Sequence, residues 1–332
     1  MQITKAKREK VKVPILLMGA SGSGKTLSAL LVAKGMIEKM FPNLDEDQQW
    51  EKIGFIDTEH RRANLYVNTE HAGTLIGSFL KVDLDPPFTA DKYKQAFEML
   101  KRADVEIIIV DSLSSAWSGE GGILARIDQM GGGFDKWSQV TPDQRMLLSI
   151  LMDTDVHVIA TVRSKQGLEV TRNERGKTKI EKVGLKPEYK DGLEYEFAIT
   201  FQLYENHFAE AMKDNSSLFP EAMLLSRKTG AVIYDWAEKG VDPKAAERER
   251  IQGALDAINK LIGDDELLNR KLTEFKTEIG NQDLTTWSLV QLIAAYKHLK
   301  NTAEFRDLNI NVDSNSSDQQ QTDVHRDFKV LG

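Results

Sequence analysis

The sequence contains no cysteine. This excludes disulfides, thiolate metal sites and cysteine nucleophiles, and leaves any metal to oxygen ligands or to the 6 histidines. No apolar run is long enough for a membrane span: residues 15–18 and 105–110 are strand-sized, against the roughly 18 residues a span requires. Residues 1–13 are basic but lack the apolar stretch and small-residue cleavage site of a secretory signal, so a cytoplasmic protein without membrane attachment is expected. An excess of positive charge is missing too. The net charge of −7 argues against a protein coated in basic residues for nucleic acid, yet residues 163–190 carry nine Lys/Arg against four Asp/Glu. With 41% hydrophobic and 29% charged residues over 332 positions, the chain is ordinary globular material with room for one large domain and an appendage.

Hydrophobic patterning alternates strand-like and helix-like stretches. An apolar run at 13–18 ends in glycine-rich sequence, and a helix is expected over 25–40 from the spacing of Leu27, Leu30, Leu31 and Ile37. Further strands are expected at 52–57, 79–82, 105–111 and 156–162, with helices at 91–102 and 142–152. Strands that are apolar on both faces and alternate with helices predict an α/β fold, a mostly parallel central sheet flanked by helices. Stretches 193–203, 222–226 and 232–236 read as sheet-extending strands, after which 243–299 is helical in period. The expected division is a basic arm at 1–12, a core at 13–240, a small helical domain at 243–303 and a disordered acidic tail at 304–332, where Asn, Ser, Gln and Asp dominate.

Gly19-Ala20-Ser21-Gly22-Ser23-Gly24-Lys25-Thr26 fits G-x-x-x-x-G-K-S/T between an apolar strand and a helix, the context that makes the motif a phosphate loop. Its glycines let successive backbone N–H groups point inward, and the helix N-terminus adds partial positive charge. The expected nucleotide cradle therefore runs from Gly19 through Thr26 to Leu27, with Lys25 reaching the β/γ-phosphates of ATP and Thr26 ligating Mg²⁺. The strand Ile107-Ile-Ile-Val-Asp111 ends in a carboxylate suited to hold the same Mg²⁺. Phe55-Ile-Asp57-Thr-Glu59-His60 places two further carboxylates at a strand end, where one would polarise an attacking water.

The order phosphate loop, F-I-D-x-E-H, then I-I-V-D-S resembles the RecA/RadA recombinase core, a P-loop NTPase fold. By that resemblance Glu59 is the general base. It also implies that Thr161, in Val156-His-Val-Ile-Ala-Thr161-Val-Arg163, takes the place of the γ-phosphate sensor, where recombinases often carry Gln. The runs Asp111-Ser-Leu-Ser-Ser-Ala-Trp117 and Val183-Gly-Leu-Lys-Pro187 are similar to phage AAA-family ATPases of the single-strand annealing, Sak-four, type. The resemblance covers about residues 13–236 and implies a protein of a bacterial host's cytoplasm. It further implies that Arg227 and Lys228, read here as the end of a strand, act as fingers on a neighbouring subunit's ATP.

The basic stretch after Thr161 lies where that family has its second DNA loop. Arg163, Lys165, Arg172, Arg175, Lys177 and Lys179 are the expected phosphate contacts, and Trp117 and Trp137 the aromatics on which single-stranded bases would stack. His60 and His71 lack metal-ligand spacing, and no zinc site is expected. The reading is an ATP- and Mg²⁺-dependent ATPase that binds ssDNA and assists phage recombination or replication. Its expected partners are copies of itself in a filament or ring, and an ssDNA-binding protein or other phage recombination proteins. A hexameric helicase-like translocase and a non-hydrolysing ATP-gated scaffold remain alternatives on the same core.

Overall fold

The computed structural model describes residues 5–152, 155–172 and 178–313. Its elements run β1 (Pro14–Gly19), α1 (Lys25–Met40), α2 (Glu46–Glu51), β2 (Ile53–Asp57), β3 (Glu70–His71), β4 (Thr74–Leu75), β5 (Leu80–Asp83), α3 (Ala90–Arg102) and β6 (Ile107–Asp111). Then follow α4 (Leu113–Ser118), α5 (Ile123–Gln129), α6 (Trp137–Met152), β7 (His157–Arg172), β8 (Thr178–Pro187), β9 (Ile199–Leu203), β10 (Phe208–Asp214), β11 (Met223–Leu224) and α7 (Arg227–Ala237). The C-terminal helices are α8 (Pro243–Ile262), α9 (Glu266–Ile279) and α10 (Leu289–Asp313).

The chain divides into two compact units, Val11–Lys239 and a second made of Met1–Lys10 with Gly240–Gly332. In the first, the sheet order is β11-β10-β9-β1-β7-β6-β2-β5. The run from β9 to β5 is parallel, while β10 and β11 extend it antiparallel. Buried strands alternate between two apolar layers, as the period of two requires. Ile107 and Ile109 of β6 join Ile15 and Leu17 of β1 against α1 and α7, whereas Ile108 and Val110 join Leu16 and Met18 against α3 and α6. This is the α/β fold that the apolar runs predict, with β7 lying between the phosphate-loop strand β1 and the Asp111 strand β6.

Three expectations need correction. Residues 232–236 are not a strand but part of α7, because packing overrides their β-branched and aromatic composition. A Cβ on Gly230 would lie 2.0 Å from the Val32 carbonyl oxygen, and one on Gly35 would lie 1.9 Å from the Arg227 carbonyl oxygen, so α1 and α7 cross at backbone contact. Arg227 and Lys228 accordingly open a helix rather than end a strand, with the Ser226 N–H donating to Thr229 Oγ1 at 3.1 Å. Residues 193–198 are likewise not strand: Leu193–Tyr195 form a 3-10 turn, and β9 starts only at Ile199.

The expected glycine-punctuated loop after Thr161 is, in its described residues, an antiparallel ribbon. β7 continues beyond the sheet and pairs with β8 from Ser164↔Pro187 to Arg172↔Thr178.

In the second unit, Glu9 pairs with Val241, and a Cβ on Gly240 would lie 2.4 Å from the Arg8 carbonyl oxygen, which its φ of +121° also disfavours. Its helices close on Ile258, Leu268, Trp287, Leu292 and Leu299. Residues 304–313, expected in the tail, belong to α10, and the rest of the tail lies outside the described residues. Among the described residues no helix is long and apolar enough to cross a membrane.

Candidate functional site

The site lies at the carboxyl ends of β1, β2 and β6, where open α/β sheets offer a crevice. After β1 the chain turns through Gly22 (φ +85°) and Gly24 (φ +89°), left-handed conformations that glycine adopts without strain, and enters α1. The Lys25 ammonium donates to the carbonyls of Gly19 and Ala20, each at 2.9 Å, and its burial lowers its pKa from the ordinary lysine value. Ser23 Oγ is buried without a hydrogen-bond partner. A cavity of about 680 Å³ opens over this loop, lined by Ser21, Gly22, Gly24, Lys25, Thr26 and Leu27 together with Glu59, Asp111 and Arg163.

Asp111 is 5% exposed and receives two hydroxyl hydrogen bonds, from Thr26 and from Thr161, each at 2.5 Å. Burial raises its carboxyl pKa, and the two hydroxyls oppose that rise. Thr161 is fully buried on β7 and does not line the cavity; its hydroxyl bonds to Asp111, which does.

Of the two carboxylates after β2, Asp57 is turned inward. It accepts the N–H groups of Glu59 at 2.8 Å and of Ala63 at 3.3 Å, and so holds the turn. Glu59 is the one that faces the cavity. Its carboxylate accepts from Ser112 Oγ at 3.2 Å and from Arg163 at 2.5 Å, with the Arg62 guanidinium 3.8 Å away. Thr58 Oγ1 ties this turn to the next segment, donating to Ser115 Oγ and accepting the Ser112 N–H, each at 2.9 Å.

Arg163 is placed by register: it lies opposite Gly19, the first residue of the phosphate loop, on the neighbouring strand. Its N–H donates to Ser114 Oγ at 2.9 Å, and its carbonyl accepts the Glu188 N–H at 2.6 Å. Arg163, expected among the DNA contacts, lines the cavity over the phosphate loop. Trp117, expected as a stacking aromatic, is buried. It is 8% exposed, its ring tilted against Tyr189 at 4.9 Å and beside Trp137 at 5.9 Å, and the half-buried Trp137 packs on the same core. Neither ring stands as an open stacking platform for bases.

Lys165 is exposed at the root of the ribbon, Arg172 and Lys179 lie on its paired strands, and Arg175 and Lys177 lie outside the described residues. Arg227 pairs with Glu38 of its own chain at 2.9 Å, and Lys228 beside it is exposed.

The cavity also contains residues that motif reading passes over: Arg62, Tyr66, His71 and His207. Tyr66 and His71 meet edge to face at 5.4 Å across the turn that β3 and β4 complete. His207 sits on the turn between β9 and β10, a position signalled in the sequence only by a polar break, Tyr204-Glu-Asn-His207.

The arrangement suits a phosphate chain and a hard divalent cation. The loop supplies amides, an ammonium and an unpartnered buried hydroxyl, and Thr26 and Asp111 offer oxygen donors side by side. No curated protein matches the chain. Among solved structures, a crystal structure of the RadB recombinase is similar, at 15% identity over 67% of this chain and 90% of that one, with a TM-score of 0.35. The model of the family described as an AAA domain matches residues 11–229, a span that holds the phosphate loop, Glu59, Asp111 and Arg163, and the chain belongs to that family.

Proposed function

We propose that the protein is an ATP- and Mg²⁺-dependent ATPase that binds ssDNA, works as a homo-oligomer, and assists phage-type recombination or replication by annealing or exchanging strands. The observation that carries the nucleotide half is the convergence of Lys25, Thr26, Asp111 and Glu59 on one cavity from three separate segments. Lys25 and the loop amides would bind the phosphates of ATP, and Thr26 and Asp111 would hold Mg²⁺. Bound Mg²⁺ supplies charge neutralisation on the phosphate oxygens. Thr161 keeps Asp111 oriented, and Glu59 accepts a proton from the attacking water once Arg163 releases its carboxylate.

The DNA half rests on charge and connectivity. Residues 163–190 carry a surplus of five positive charges, and the ribbon of Ser164–Arg172 with Thr178–Pro187 follows directly on Arg163, the residue that holds Glu59. A strand bound along Lys165, Arg172, Arg175, Lys177 and Lys179 would shift the root of the ribbon and free Glu59. Affinity for a fluorescent oligonucleotide, with and without a non-hydrolysable ATP analogue, tests this. The analogue is expected to tighten binding, and alanine at Arg172, Arg175, Lys177 and Lys179 to weaken it and to flatten the salt slope by about 0.7 per lost phosphate contact. Binding equal in both proteins and indifferent to the analogue removes the DNA role.

One observation favours a second reading, the ATP-gated scaffold for replication or recombination partners: the Glu59 carboxylate is engaged by Arg163 and Ser112. That reading requires tight ATP binding without turnover, with or without DNA.

A further inference from the structure

His207 stands out because three independent features meet at it. It lies in the turn that joins β9 to β10, where its N–H donates to the Tyr204 carbonyl at 2.9 Å and the Phe208 N–H donates to Asn206 Oδ1 at 3.2 Å, so the turn is tightly tied. Its backbone has φ 66°, in the left-handed region that glycine and asparagine occupy most readily. Its ring packs on the phosphate loop: a Cβ on Gly24 would lie 3.1 Å from Nδ1 and within 3.9 Å of Cγ and Cε1. The imidazole therefore occupies the space that only a glycine at position 24 leaves open, and it lines the same cavity as Lys25 and Thr26.

The left-handed backbone thus carries a polar ring onto a loop built for phosphate, at a residue that remains solvent-exposed. The register Phe208↔Leu224 adds a wall on that side, where Leu224 lines the cavity while 56% exposed.

We infer that His207 is a nucleotide-binding residue, its imidazole donating a hydrogen bond to the phosphate chain from the side opposite Glu59 and Arg163, so that the β9–β10 turn forms the second wall of the phosphate site. The inference rests on the proposed reading of the cavity as an ATP site. It extends that reading to a segment outside the phosphate-loop, Asp111 and Glu59 motifs.

The test uses the full chain and reads binding, not hydrolysis. Isothermal titration with Mg²⁺–ATP and with Mg²⁺–tripolyphosphate, which has no base or ribose, compares the unmodified protein with His207→Gly and His207→Asn. Glycine removes the ring and suits the left-handed backbone, so fold stability is preserved or raised, which thermal melting checks. Both ligands are expected to lose roughly three- to tenfold in affinity with His207→Gly, the size of one net hydrogen bond, with the asparagine variant falling between. Unchanged affinity for both ligands overturns the inference, as does a loss confined to ATP, which would assign the ring to the base or ribose. A different result overturns the ATP reading itself: an unmodified protein that binds neither ligand, or that binds them no better than Lys25→Ala.

Discussion

Arg163 and Glu59 are 104 residues apart in sequence, and they pair at the wall of the cavity. Arg163 and Ser112 both occupy Glu59 Oε1, which leaves that oxygen no open position for a water. Arg163→Ala is therefore expected to raise ATP turnover in the absence of DNA and to shrink the stimulation by ssDNA, as measured by phosphate release. Turnover that falls to background in this variant would instead assign the guanidinium to the phosphates. The phosphate loop and Asp111 are legible in the sequence because each is a run of neighbours in a fixed local context, a strand end or a strand-to-helix turn. The Arg163–Glu59 pair is not, because it depends on the register Gly19↔Arg163 between strands far apart in the chain. Trp117 shows the same limit: an aromatic among glycines reads alike whether it faces solvent or, as here, packs under the sheet on Tyr189.

Among the elements, α7 shows why composition misleads. Val232, Ile233, Tyr234 and Trp236 have strand-forming side chains, yet Gly230, Ile233 and Ala237 recur at helical spacing and are buried against α1. The crossing requires two glycines, one on each helix. Gly35→Ala is expected to destabilise the chain by roughly 1–3 kcal/mol or more, as overpacking does, with a lower urea midpoint and little change in slope. A loss of stability below about 0.5 kcal/mol, the range of neutral surface changes, would contradict the close approach of α1 to the Arg227 carbonyl. The parallel strands are legible because burial on both faces writes itself as continuous apolar sequence. The β7–β8 ribbon is not, since a stretch that leaves the core carries no such signature and reads as a charged loop.

For the whole molecule, the charge is divided: a chain of net −7 concentrates its positive surplus in residues 163–190. Such a division lets one segment engage a polyanion while the rest of the surface repels it. Arg227 and Lys228 open α7, and Arg227 pairs with Glu38 within the chain. If turnover needs a neighbour's cations, replacing both with alanine leaves ATP binding intact and abolishes ssDNA-stimulated hydrolysis. Unchanged turnover confines the reaction to a single subunit.

In the proposed mechanism the cavity over the phosphate loop hydrolyses ATP with Glu59 as base, under the control of DNA. Steady-state hydrolysis by the full chain, with and without ssDNA, set beside Glu59→Gln tests it most directly. Stimulation by ssDNA is expected in the unmodified protein and, in the variant, a loss of about 10²–10⁴-fold in turnover with ATP binding retained. Turnover indifferent to both the substitution and the DNA would contradict it.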